Sequence, residues 1–116
     1  MTIPYEAKEY KVIHGSQLEP ISGDGLFGKG RRREKEFKDF LIDSQDFFSM
    51  YQSGKNCDNY RIGNADAQYV YVHVGNCVTV TKSDKGYRIH SNGRHRGYVA
   101  RKYGLNLLVC ILKLSK

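Results

Sequence analysis

The segment Arg33–Tyr51 places Phe37, Phe40, Leu41, Phe47, Phe48 and Tyr51 at the i, i+3, i+4 rhythm of a helix, with Ser44 as the one gap. Lys38, Asp39, Asp43 and Asp46 lie off that stripe, and Ser53-Gly54 supplies a stop. The spacing predicts a long amphipathic helix with a phenylalanine face that must be buried against another element. Ahead of it, Tyr5–His14 reads as a short strand. Gly15–Gly30, with five glycines and Pro20, reads as an irregular loop.

After a polar stretch (Lys55–Asp66) the period changes to two. Tyr69–Val74, Gly75-Asn76 and Cys77–Lys82 read as a hairpin on a two-residue turn. Ser83–Gly86 turns the chain into Tyr87–His90, and Leu105–Leu114 reads as a buried strand. A four-residue turn at Ser83–Gly86 pairs Lys82 with Tyr87 and Thr81 with Arg88. One face then collects Tyr69, Tyr71, His73, Val78, Val80, Tyr87 and Ile89, the better partner for the phenylalanine helix. The other carries Thr79, Thr81, Arg88 and His90. The expected fold is α+β: one long amphipathic helix packed on an antiparallel sheet of four or five strands, in a single domain over residues 1–116.

Several classes are excluded at this level. No apolar run approaches the ~20 residues of a membrane span, and the first residues lack the basic start and apolar run of a signal peptide. Cys57, Cys77 and Cys110 are widely spaced, which fits neither a disulfide framework nor a zinc site. They read as reduced thiols of a cytoplasmic protein, Cys110 in the core and Cys57 the exposed one. No metal and no cofactor is implied.

Charge is the informative feature. Residues 1–58 hold nine Lys/Arg against ten Asp/Glu, whereas residues 59–116 hold ten against two. Within the second half, Arg88, Arg94, Arg96, Arg101 and Lys102 fall in one stretch without an acid, interleaved with His90, His95, Tyr98 and Tyr103. Such a stretch creates a local field for a polyanion. Arginine forks contact phosphates, tyrosines stack on unpaired bases, and Asn92-Gly93 offers a turn that exposes backbone N–H groups. The leading reading is therefore a small nucleic-acid-binding protein. RNA is preferred over DNA because no recognition helix carries the basic segment.

The same residues admit a nuclease. Metal-independent RNA cleavage needs a base, an acid and a cation, which His90, His95 and the arginines supply near neutral pH. In size, charge and element order the chain resembles the compact ribonuclease toxins of the barnase, colicin and interferase type. A third reading, from another class, is a small inhibitor or adaptor from a mobile element that docks on an acidic or nucleic-acid-bound host protein.

Gly23-Asp24-Gly25-Leu26-Phe27-Gly28 fits G-x-G-x-x-G and leads into Arg31-Arg32-Arg33. Without a preceding strand or a βαβ unit it is no dinucleotide fold. The three arginines oppose the helix macrodipole, and so are candidates for further phosphate contacts. Val12-Ile13-His14-Gly15-Ser16 with Gly25–Gly30 is similar to the His-Gly-Ser strand and Phe-Gly-Lys-Gly segment of poly-ADP-ribosyltransferases, which would put His14 on the nicotinamide-ribose of NAD. The likeness covers under twenty residues. Arg31–Arg33 replaces the family's tyrosine-bearing strand and no glutamate follows Asp84, so it is set aside as coincidence. His73 reads as a core or edge residue of a strand.

Overall fold

In the computed structural model, which describes residues 5–27, 31–73 and 75–114, the apolar run near the C-terminus is an interior strand. The elements in chain order are β1 (Tyr5–His14), a 3₁₀ turn (Gly15–Gln17), α1 (Arg31–Asp43), α2 (Gln45–Gln52), β2 (Arg61–Ile62), β3 (Ala65–Asp66), α3 (Ala67–Tyr71), β4 (Val78–Ser83), β5 (Gly86–Ile89), α4 (Arg94–Tyr103) and β6 (Asn106–Leu114). The main sheet runs β1-β6-β4-β5, and β2 and β3 form a separate two-stranded ribbon. Leu107 to Ile111 are all buried, as expected of a strand covered on both faces.

The fold is α+β, but the sheet is mixed. β1 pairs with β6 and β4 with β5 in antiparallel fashion, whereas β4 and β6 run parallel, Thr79 opposite Cys110. The physical reason is the return connection. β5 runs back along one edge of β4, and after α4 the chain reverses again and enters at the other edge of β4 as β6, two reversals that leave β6 running in the direction of β4. The β4–β5 register is the one read from the sequence, with Lys82 opposite Tyr87 and Thr81 opposite Arg88.

The expected hairpin over Tyr69–Lys82 does not form. Its first arm is α3, started by Asp66, whose carboxylate accepts from the Gln68 N–H at 3.0 Å. Ala67 and Tyr71, four apart, are both fully buried, so this segment uses the helical period and not the strand period. Asn76 Nδ2 donates to the carbonyls of Val70 (3.2 Å) and Tyr69 (3.4 Å), holding the open end of the helix. His73 sits exposed in the following turn, its ring 4.7 Å from that of Tyr69.

The phenylalanine helix is two helices. Ser44, fully buried, bonds through Oγ to the Phe40 carbonyl (2.7 Å) and to the Tyr71 hydroxyl (2.8 Å). A serine bonding back four residues bends a helix, and here it separates α1 from α2. Phe40, Phe47 and Phe48 surround Tyr71 with ring centroids 4.8–6.3 Å away. α2 packs on β1 and β6, while α1 packs along α4. The Val78 and Ile89 face lies under α4 instead of the phenylalanine helix. A Cβ on Gly97 would come within 2.9 Å of Ile89, and one on Gly93 within 2.7 Å of Val78.

All three cysteines are free and buried, Cys57 included, against the expectation that it is exposed. Its thiol donates to the Lys55 carbonyl at 3.3 Å, which turns it inward. Burial raises the Cys110 pKa above the ordinary thiol value. Among the described residues no helix is long and apolar enough to cross a membrane.

Candidate nucleic-acid interface

The basic segment is split between the end of β5 and α4, so a helix does carry most of it. That helix is bracketed by two glycines in the left-handed region, Gly93 (φ 105°) before it and Gly104 (φ 65°) after it. Arg101 and Lys102 in the last turn favour the negative end of the macrodipole. Arg94 opens the helix, where no acidic side chain lies in the first turn and no side chain caps the N-terminus.

α4 is enclosed on three sides. Val99 and Ala100 are fully buried, and Gly97 fits under Ile89. On one flank the glycine loop closes over it. A Cβ on Gly23 would fall 2.8 Å from the Tyr98 hydroxyl, and the Phe27 ring stands edge-on to Tyr98 at 5.6 Å. The G-x-G-x-x-G segment is thus a cover for α4; its Gly28 lies outside the described residues. On the other flank, Phe37 of α1 stacks on His95 at 5.1 Å. What remains exposed on α4 is Arg94, Arg101, Lys102 and Tyr103.

These cations form a strip. Arg88, His90 and Arg94 line one cleft of about 360 Å³. Tyr98, Arg101 and Lys102 line the next, of about 260 Å³. Pro20 and Ile21 are walls of both, so the two clefts adjoin. Arg94 is exposed and no carboxylate among the described residues pairs with it. Arg101 Nε donates to the Leu18 carbonyl at 3.1 Å, which fixes the side chain without neutralising it. Arg88 meets Glu19 at 3.4 Å and Lys102 meets Glu34 at 2.8 Å. Ser83 also donates to Glu19 and, with Arg88, holds that carboxyl below its ordinary pKa. In both pairs the cation is the exposed member, at 68% and 46%, while the carboxylate is largely covered at 16%.

The other sequence-derived candidates fall elsewhere. Arg96 turns inward, its Nη2 donating to the Asn76 carbonyl (2.8 Å) and its Nη1 to that of Val70 (3.3 Å), with the guanidinium 5.8 Å over the Tyr71 ring. Burial lowers its pKa below the usual arginine value. It secures the end of α3. His95 Nε2 donates to the Leu26 carbonyl at 2.6 Å, and the ring packs against both Phe27 and Phe37, which also touch each other. His90 and His95 line different clefts, with Arg94 between them.

Arg33 lines a separate groove with Phe37, Phe40 and Arg96. Arg31 and Arg32 begin α1, but their side chains lie outside what is described. His14 Nδ1 accepts from the Ser16 N–H (3.1 Å), so Nε2 carries the proton and donates to the Gly104 carbonyl at 3.0 Å. Both ring nitrogens are therefore structural.

Two lysines escaped the sequence reading. Lys35 and Lys38 of α1 line a cleft of about 370 Å³ together with Lys102 and Tyr103. Their place beside Lys102 depends on how α1 packs on α4, which no local spacing encodes. Among the described residues no three His, Cys, Asp or Glu side chains cluster as a metal site would require. No family model, no curated protein and no solved structure matches this chain.

Proposed function

We propose that this chain binds nucleic acid, RNA in preference to DNA, as an unpaired strand lying along the exposed edge of α4. The observation that carries the reading is the strip itself: Arg88, Arg94, Arg101 and Lys102 line a pair of adjoining clefts from two different elements. The original ground for preferring RNA, a basic segment without a helix, is removed by α4. Another takes its place. A recognition helix enters the ~12 Å major groove of a duplex, and α4 is covered by the sheet, by the glycine loop and by α1. It offers one edge, suited to a single backbone of phosphates such as RNA presents in its loops, bulges and ends.

The chemistry at each position follows. Arg94 meets a phosphate where the first N–H groups of α4 also point, so charge, fork geometry and macrodipole act in one direction. Arg101 and Lys102 take phosphates further along, and the Tyr98 ring beside them borders the second cleft.

The test is fluorescence anisotropy with an unstructured RNA oligonucleotide and a DNA duplex of the same length, in EDTA and over a range of salt. The reading expects the single strand to bind more tightly, with log K falling linearly in log salt. Equal or tighter duplex binding, or no binding at low salt, refutes it.

A further inference from the structure

We infer that the bound strand continues past α4 onto a second phosphate subsite formed by Lys38 and Lys102 across the ring of Tyr103. This rests on the nucleic-acid reading above and adds residues, direction and length to it.

Lys38 Nζ lies 4.5 Å from the Tyr103 ring centroid and Lys102 Nζ lies 5.4 Å from it. Two ammonium groups are thus gathered on one exposed aromatic ring, an arrangement that repels itself unless an anion is near. One anion lines the same cleft: Glu34 Oε2 accepts from both Lys102 (2.8 Å) and the Tyr103 hydroxyl (2.5 Å), and neither contact involves Lys38. Lys35 is taken by Asp39 at 2.6 Å. Lys38 has no carboxylate partner among the described residues, and its ammonium rests over the ring.

The placement is continuous with the strip. Lys102 lines both this cleft and the one holding Arg101, so three adjoining clefts lead from Arg94 to Lys38. The ring contacts pin the ammonium groups of two otherwise flexible side chains. From the first to the last residue of α4 the path covers about 13 Å at 1.5 Å per residue. At 3.4 Å per stacked nucleotide that is about four nucleotides.

The experiment uses the full chain with labelled oligouridylates of two, four, six and eight nucleotides, titrated over a salt series. Affinity is expected to rise steeply to about four to six nucleotides and then level off. Lys38→Gln should weaken the eight-nucleotide complex about three- to tenfold and make the salt slope shallower by about 0.7, the single-strand value for one phosphate contact. Lys38→Arg should retain the slope, and thermal melts should show both variants folded. If Lys38→Gln binds with unchanged affinity and slope while Arg94→Gln weakens binding, the second subsite is wrong and the strip stands. If the unsubstituted protein binds none of the oligonucleotides, the nucleic-acid reading falls, and this inference with it.

Discussion

The His95 ring stacks on that of Phe37 at 5.1 Å and 15° while its Nε2 donates to the Leu26 carbonyl at 2.6 Å. One side chain therefore joins α4, α1 and the glycine loop. This is the task of a packing residue, and it removes Nε2 from proton transfer. His95→Ala should lower stability by about 1–3 kcal/mol, seen as a fall in Tm. RNA incubated with the protein in EDTA should remain intact on a gel, whether or not His90 is replaced. Cleavage lost in either histidine variant would restore the nuclease reading.

Arg96→Met separates the structural arginine from the exposed ones. It leaves the carbonyls of Val70 and Asn76 without their guanidinium donor, which should cost about 1–3 kcal/mol in a urea melt. Arg88→Gln and Arg94→Gln should change stability by no more than about 0.5 kcal/mol. Equal effects from all three would contradict the division.

Much of this is visible in the sequence once the right period is chosen. The β4–β5 register and the buried C-terminal strand follow from alternation, turn length and a continuous apolar run. Even the glycines that bracket α4, Gly93 and Gly104, are present as signals, but Arg94–Tyr103 is too polar to show an apolar stripe. The mistaken hairpin has a different cause. Tyr69-Val70-Tyr71-Val72 satisfies a period of two, yet what decides its conformation is Asp66 capping the start and Tyr71 reaching Ser44, a contact across 27 residues. The same limit hid the site. That Arg96 turns inward while Lys38 joins Lys102 depends on which face of each helix meets its neighbour.

The buried Tyr71 hydroxyl has a pH signature. Burial raises the Tyr71 pKa to about 12, above the ~10 of an exposed tyrosine. Between those values the folded chain holds a proton that the unfolded chain has released. Its contribution is complete below pH 10 and is lost as pH rises through 12, amounting to about 3 kcal/mol at most. Tyr71→Phe should flatten this alkaline loss in denaturant melts between pH 9 and 12. It should also cost about 0.5–1.5 kcal/mol at neutral pH, where the hydrogen bond to Ser44 is gone.

Gly15 tests how α4 is seated. A Cβ there would lie 2.1 Å from the Ala100 carbonyl oxygen. That oxygen belongs to the backbone and cannot move aside as a side-chain tip can. Gly15→Ala should destabilise by about 3 kcal/mol or more, and a Tm within two degrees of the parent would contradict the packing.

The central claim, that the α4 edge holds nucleic acid, is tested most directly by comparing Arg94→Gln with the unsubstituted protein on one unstructured RNA oligonucleotide over a salt series. Arg94 is exposed, has no carboxylate partner among the described residues and lines two neighbouring clefts. The account predicts an unchanged Tm, binding weakened about tenfold at low salt and a salt slope shallower by about 0.7. Identical affinity and slope for the two proteins would contradict it.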